Sequence, residues 1–295
     1  MRRIGLHSPV VLGVNLKMYF GYSETLRWCQ EVAELVRGER AVRNGAIELF
    51  VLPSHPALVP AFEILSETGV AVGAQNMYWE NSGPFTGEVS GPFLAELGCS
   101  IVEIGHAERR LLFNETDDDV ARKVASALRS GLCPLICVGE SMMGDPDAAA
   151  EQCTMQLRAA LANVDGDLAN GWLMVAYEPY WAIGSSAAAD PDHISHVCRA
   201  LQDELDSLEL NLPRRVIYGG SAGPGLLQSL EGDLAGLFLG RRAHSVANLA
   251  AMLSEAAQVA KRRQLARDTQ LPVVDMQDLS TPMWQHEPGP ASGQN

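Results

Sequence analysis

Four groups of residues in this chain have the types and spacing to do chemistry together. Glu178 closes the apolar run "LMVAYE" (173 to 178). A carboxylate at the end of a buried strand is poorly hydrated, which suits it to act as a base, although an acid paired with a buried arginine would read the same way. His106 lies in "EIGHAERRLLF" (103 to 113), where a short apolar run gives way to a helical pattern. Backbone N–H groups and the positive end of a helix dipole favour the neutral ring there, leaving it either to donate a hydrogen bond to a substrate oxygen or simply to cap the helix. Asn15 and Lys17 stand two apart in "GVNLKMYFG" (13 to 21), so on a strand both would face one ligand, with Lys17 facing an anion and its developing enolate. Taken alone, Lys17 reads as a rim lysine. Three glycine turns, "AIGSS" (182 to 186), "YGGSAGPG" (218 to 225) and "FLGRRAHS" (238 to 245), lack Cβ atoms where backbone N–H groups would have to approach a phosphate. A base, a neutral hydrogen-bond donor, a cation and a phosphate nest describe one reaction class: proton abstraction beside a carbonyl, an enediolate, and reprotonation at the neighbouring carbon of a small sugar phosphate. That chemistry calls for neither a metal nor an organic cofactor.

Such residues must be carried by a scaffold that brings distant segments to one place. Eight short apolar runs, at 9 to 16, 47 to 53, 70 to 75, 100 to 105, 134 to 140, 173 to 178, 215 to 220 and 236 to 240, alternate with longer amphipathic segments. One of these, "SETLRWCQEVAELVR", opens with Ser23 as an expected N-cap. Near-continuous apolar strands joined by helical crossovers predict a parallel sheet covered by helices, and eight units in this length predict an α/β chain closed into a (β/α)8 barrel. Polar or glycine-rich residues follow almost every run, as they would where barrel strands end on a single face; the rival, a doubly wound open sheet, would spread them along a line. Residues 1 to 263 are expected to form this single domain. From 264 to 295 the composition turns to Pro, Gln, Asp and Ser, and a flexible tail is expected.

Bulk properties narrow the partners. The chain has 295 residues, 47% of them hydrophobic, and a formal net charge of −14. The acidic balance argues against nucleic acid; the densest basic stretch, "KRRQLAR" from residue 261, reads as a solvated helix end. No run is long enough to span a membrane, and the N-terminal segment lacks a small-residue cleavage site, so a cytoplasmic location is expected. Cysteines at 29, 99, 133, 137, 153 and 198 show no CxxC spacing and read as reduced core residues. Arg109 and Arg110 with Glu108 read as salt bridging, unless Glu108 also hydrogen-bonds at the site.

With those residues in view, the chain resembles the triosephosphate isomerase family over nearly all of residues 10 to 260. "GAQN", "FTGEVS", "EIGHAERR", "ICVGE", "AYEPYWAIG" and "YGGS" occur in that family's order. The resemblance implies a TIM barrel with Glu178 as base, His106 as electrophile, Asn15 and Lys17 as substrate binders, and Gly184, Ser221 and Gly240 as phosphate contacts. It further implies that residues 179 to about 187 form a closing lid and that Cys137 and Glu108 stand at the site. Thr86, in the loop that reaches a neighbouring subunit, implies a homodimer.

Four positions depart from the family pattern: Leu16 replaces the first-strand Trp, Ala107 the Ser after the histidine, "GSSAAAD" the lid's Gly-Thr-Gly-Lys, and Gly240-Arg241 the Gly-Gly after the eighth strand. The modified lid and the Gly-Arg turn are similar to those of the family's L-erythrulose-1-phosphate isomerase branch. That similarity implies conversion of L-erythrulose 1-phosphate to D-erythrulose 4-phosphate, with Arg241 beside the substrate. The alternatives are the triose reaction of glycolysis and gluconeogenesis and, in a different class, a silent phosphate-binding paralogue.

Overall fold

Burial on both faces turns each apolar run into a strand with no polar side. In the computed structural model, which describes residues 9–164, 172–185, 187–208, 212–230 and 232–270, eight parallel strands form: β1 Val10–Asn15, β2 Ile47–Leu52, β3 Ala71–Ala74, β4 Ile101–Ile104, β5 Cys133–Val138, β6 Leu173–Tyr177, β7 Arg214–Tyr218 and β8 Gly236–Leu239. Each pairs with the next in the chain, and β8 pairs with β1, so the sheet is a closed barrel. The helices are α1 Tyr22–Arg37, α2 Arg40–Arg43, α3 Leu58–Leu65, α4 Gly91–Glu96, α5 Ala107–Phe113, α6 Asp117–Arg129, α7 Pro146–Ala160, α8 Pro191–Ser207, α9 Leu226–Ser229 and α10 Val246–Gln270. This is the expected (β/α)8 barrel.

The two-residue period of a strand sorts its side chains into two cores. Val10, Leu12 and Val14 point outward and pack under the helices with residues such as Trp28, Val32 and Leu253. Val11, Phe50, Ile101, Leu135, Met174, Ile217 and Phe238 fill the interior. Closure is tight where β8 meets β1: a Cβ on Gly236 would lie 1.8 Å from the Val11 carbonyl oxygen, so only glycine fits. Gly13 likewise leaves the space that the Phe50 ring occupies, since a Cβ there would be 2.1 Å from Cζ.

Three expectations need correction. The helix expected from Ser23 begins one residue earlier with Gly21 as its cap, and Ser23 lies inside the first turn. The stretch "KRRQLAR" is not wholly solvated: Arg263 is buried and donates to the carbonyls of Ala235 (3.3 Å) and Leu234 (2.9 Å), pinning α10 to the entry of β8. That helix also continues to Gln270, past the expected start of the tail at 264, while positions 271–295 lie outside the described residues. All six cysteines are buried and free. No described helix is long and apolar enough to cross a membrane.

Candidate active site

The inward parity that fills the barrel with apolar side chains continues to the strand ends, where it meets polar residues. Asn15 is four positions beyond Val11, Glu103 two beyond Ile101, Cys137 two beyond Leu135, and Glu178 two beyond Ala176; all four keep the inward parity, with Cys137 still in the apolar interior and Asn15, Glu103 and Glu178 above it. A polar layer therefore lies directly on the apolar core. Above it opens a cavity of about 400 Å³ lined by Asn15, Lys17, His106, Glu108 and Glu178 on one side and by Gly184, Ser221, Gly240 and Arg241 on the other.

Glu178 follows β6 and is 5% exposed. Its Oε2 lies 3.5 Å from His106 Nε2 and, among the described residues, accepts no hydrogen bond. Glycines clear the room around it: a Cβ on Gly219 would meet Glu178 Cγ and Oε1 at 2.6 Å, and one on Gly139 would stand 2.0 Å from the Glu178 carbonyl oxygen. His106 is the N-cap of α5, and its Nδ1 accepts the Glu108 amide at 3.1 Å. Accepting at Nδ1 leaves the proton of a neutral ring on Nε2, the nitrogen that faces Glu178. The two readings of this histidine, cap and donor, are thus one arrangement.

Lys17 is not on the strand face that its spacing from Asn15 suggests. It follows the end of β1 with φ 49°, a left-handed conformation that a non-glycine residue adopts only when its surroundings impose it. Here its carbonyl accepts from Gln75 Nε2 (3.0 Å) and Ser54 Oγ (3.1 Å), and its amide donates to Asn15 Oδ1 (2.7 Å). The turn delivers the ammonium to Glu108 Oε1 at 2.6 Å. Burial by itself would lower the Lys17 pKa, but the Glu108 hydrogen bond and the charges of Glu178, Glu108 and Glu103 outweigh it, and the net shift is upward. Lys17 is therefore held as a positive charge in the cavity that His106 and Glu178 also line.

On the opposite wall, Gly184 has φ 73° and Ser221 φ 51°, with Ser221 Oγ donating to the Ala182 carbonyl at 2.6 Å. Arg241 Nη2 is 3.4 Å from the Gly184 carbonyl, and its guanidinium lies 5.7 Å from the Tyr19 ring centre. The arginine joins the β8 turn to the 179–187 segment, within which Ser186 lies outside the described residues. The base of that segment is held by Glu140: its Oε1 accepts from Trp181 Nε1 (2.8 Å) and Tyr177 Oη (3.1 Å), with His193 Nε2 at 3.3 Å.

Two expected site residues are not in this cavity. Cys137 lies beneath it, its Sγ 3.8 Å from Glu103 Oε1, and burial pushes its thiol well up in pKa. Thr86 is exposed in the loop after β3 and does not line this cavity. Glu108, by contrast, belongs to the site through Lys17, while Arg109 pairs with Glu115 and Arg110 with Asp117.

Glu103 is a residue that sequence reasoning missed. It is 2% exposed, and both of its oxygens accept from Asn15 Nδ2, at 3.0 and 2.8 Å. Burial, more than anything around it, pushes its carboxyl up to about 7. The signal was present, a charged residue at an inward position of the otherwise apolar "SIVEIG" run. Tyr19 and Glu140 were also missed as site residues. Among the described residues, Glu103, His106 and Glu178 are the group whose donor atoms, all within 4.8 Å, could hold a cation.

Comparison with known proteins places this geometry. The family model for triosephosphate isomerase matches residues 10–256. An L-erythrulose-1-phosphate isomerase of Pectobacterium atrosepticum is 48% identical over 247 residues, covering 84% of this chain and 95% of that protein. Another from Rhizobium etli is 38% identical, covering 89% and 99%. A triosephosphate isomerase of Thermoanaerobacter pseudethanolicus is 36% identical, covering 80% and 94%.

Proposed function

The chain belongs to the triosephosphate isomerase family, and from that membership we propose that it interconverts L-erythrulose 1-phosphate and D-erythrulose 4-phosphate. The observation that carries the reading is the convergence of Glu178, His106 and Lys17 opposite three glycine turns in one cavity. The relatives of greatest identity named above act, by their names, on the tetrulose phosphate.

The phosphate binds among Gly184, Ser221 and Gly240, where backbone N–H groups and Arg241 meet its charge. Glu178 Oε2 removes the proton from the hydroxyl-bearing carbon next to the carbonyl. The electrons move onto the carbonyl oxygen, which receives hydrogen bonds from His106 Nε2–H and the Lys17 ammonium. The proton returns from Glu178 to the former carbonyl carbon, the hydroxyl proton shifts between the two oxygens by way of His106, and the carbonyl stands one carbon further from the phosphate. Asn15 fixes Lys17 through its backbone amide. The 179–187 segment shields the base from water.

A homodimer is part of the proposal. Tyr78 packs against Trp79 (4.1 Å) and Phe85 (4.7 Å), stiffening the loop that presents Thr86 to solvent, and Leu111, Leu112 and Phe113 of α5 are exposed, with Phe113 lining a cavity together with Gly87 and Glu88 of that loop. Six free thiols suit a reducing cytoplasm.

A second reading, isomerisation of the triose phosphate, uses the same residues and is supported by the 36% identical relative. A silent phosphate-binding paralogue gives no account of a base, a tautomer-fixed donor and an ammonium held together. The test is kcat/KM on L-erythrulose 1-phosphate and dihydroxyacetone phosphate side by side. A tetrulose preference of about tenfold or more is expected; a triose preference of that size overturns the proposal in favour of the second reading.

A further inference from the structure

The phosphate wall and the reacting groups leave one direction in which a longer substrate can extend. Gly184, Ser221 and Gly240 hold the end after β6, β7 and β8; Lys17, His106 and Glu178 flank the two carbons that exchange the carbonyl. A fourth carbon continues away from the phosphate. On that side a second cavity of about 570 Å³ adjoins the first, sharing Asn15, Lys17, His106 and Glu108 with it, and Glu103 belongs to this cavity alone.

Glu103 is a buried carboxyl group that the reaction does not use. It lies 4.0 Å from His106 Nε2, beside the reacting centre, and the protein gives it few donors: the single nitrogen Asn15 Nδ2 meets both oxygens, and the Cys137 thiol stands 3.8 Å from Oε1. A carboxylate accepts about four hydrogen bonds, so capacity remains after these contacts. A buried acid with acceptor capacity to spare at the start of a cavity is placed to take a further hydrogen bond from a ligand.

We propose that Glu103 is a specificity-determining residue, binding the terminal hydroxyl of a four-carbon sugar phosphate whose last carbon enters the second cavity. This rests on the tetrulose reading above. A three-carbon substrate ends before reaching Glu103 and leaves it as it stands. The four-carbon substrate supplies a hydroxyl that both donates and accepts, and with its carboxyl pushed up to about 7, Glu103 meets it in either protonation state. Since Asn15 is bound to the same carboxyl group, chain length is read at the group that also orients a substrate binder.

The experiment crosses enzyme variants with substrate variants: wild type, Glu103→Leu and Glu103→Gln against L-erythrulose 1-phosphate and its 4-deoxy analogue, with kcat and KM separated. Wild type is expected to lose about tenfold or more in kcat/KM when the hydroxyl is removed, whereas Glu103→Leu treats the two compounds alike and Glu103→Gln, which keeps one acceptor oxygen, falls between. Melting temperature and affinity for inorganic phosphate check that the variants are folded. If both compounds decline by the same factor in Glu103→Leu, the inference is overturned and Glu103 acts only by holding Asn15. Indifference of the wild type to the hydroxyl also overturns it, without need of any variant. A wild type that turns over dihydroxyacetone phosphate but not the tetrulose sinks the tetrulose reading itself, a result separate from tetrulose turnover without coupling.

Discussion

At the scale of single residues, the site depends on where protons and charges are held. In the proposed reaction, Glu178→Asp would withdraw the base by about one methylene from a substrate anchored among Gly184, Ser221 and Gly240. A displacement of that size costs about 10²-fold in kcat, and steady-state kinetics with little change in KM is the expected result. Glu103 sets a pH dependence of stability. Its folded-state carboxyl is raised from 4.5 to about 7, so the folded protein holds a proton that the unfolded chain has released between those values. Stability from this group is complete below about pH 4.5 and is lost as pH rises through about 7, amounting to roughly 3 kcal/mol. Glu103→Gln cannot release that proton. Urea unfolding at pH 5 and pH 7.5 is expected to show a smaller decline for the variant than for wild type; equal declines would show that the carboxyl is ionised throughout.

At the scale of elements, what could be read in advance was what is local. The eight apolar runs predicted all eight strands to within a residue or two at most ends, because burial on both faces leaves a continuous signature. His106 at the start of α5 and Glu178 after β6 were legible for the same reason. Lys17 was reached by a wrong route: its left-handed turn is imposed by Gln75 and Ser54, whose hydrogen bonds no spacing rule anticipates. Glu103 stayed hidden because its partners, Asn15 and Cys137, are 88 and 34 positions away. The contact between Arg241 and the Gly184 carbonyl is another long-range product, joining the β8 turn to the segment over the base. In the proposed function Arg241 meets the phosphate charge, and Arg241→Ala would then remove a charged hydrogen bond worth about 1.5–3 kcal/mol. KM is therefore expected to rise by about tenfold or more, and an unchanged KM would place the guanidinium in solvent during turnover.

At the scale of the whole molecule, the site exists only because β8 returns to β1. Asn15 and Lys17 are at one end of the chain and Gly240 and Arg241 near the other, and the pairing of Val11 with Gly236 brings them together. Gly236→Ala forces a Cβ against the Val11 carbonyl, and a loss of about 2 kcal/mol or more is expected from equilibrium unfolding. The same closure seals the barrel from below: under Asn15, Glu103 and Glu178 the interior is filled by Val11, Ile101, Met174, Phe50 and Phe238. That packing closes the site from below, so it meets solvent at the barrel mouth. In the proposed reaction, a proton taken by Glu178 is traded for one from solvent through that mouth. In heavy water, the share of product that carries deuterium therefore clocks the opening of that mouth against the return of the proton, and the isotope content of a single turnover becomes a measure of how long the barrel keeps its cargo to itself.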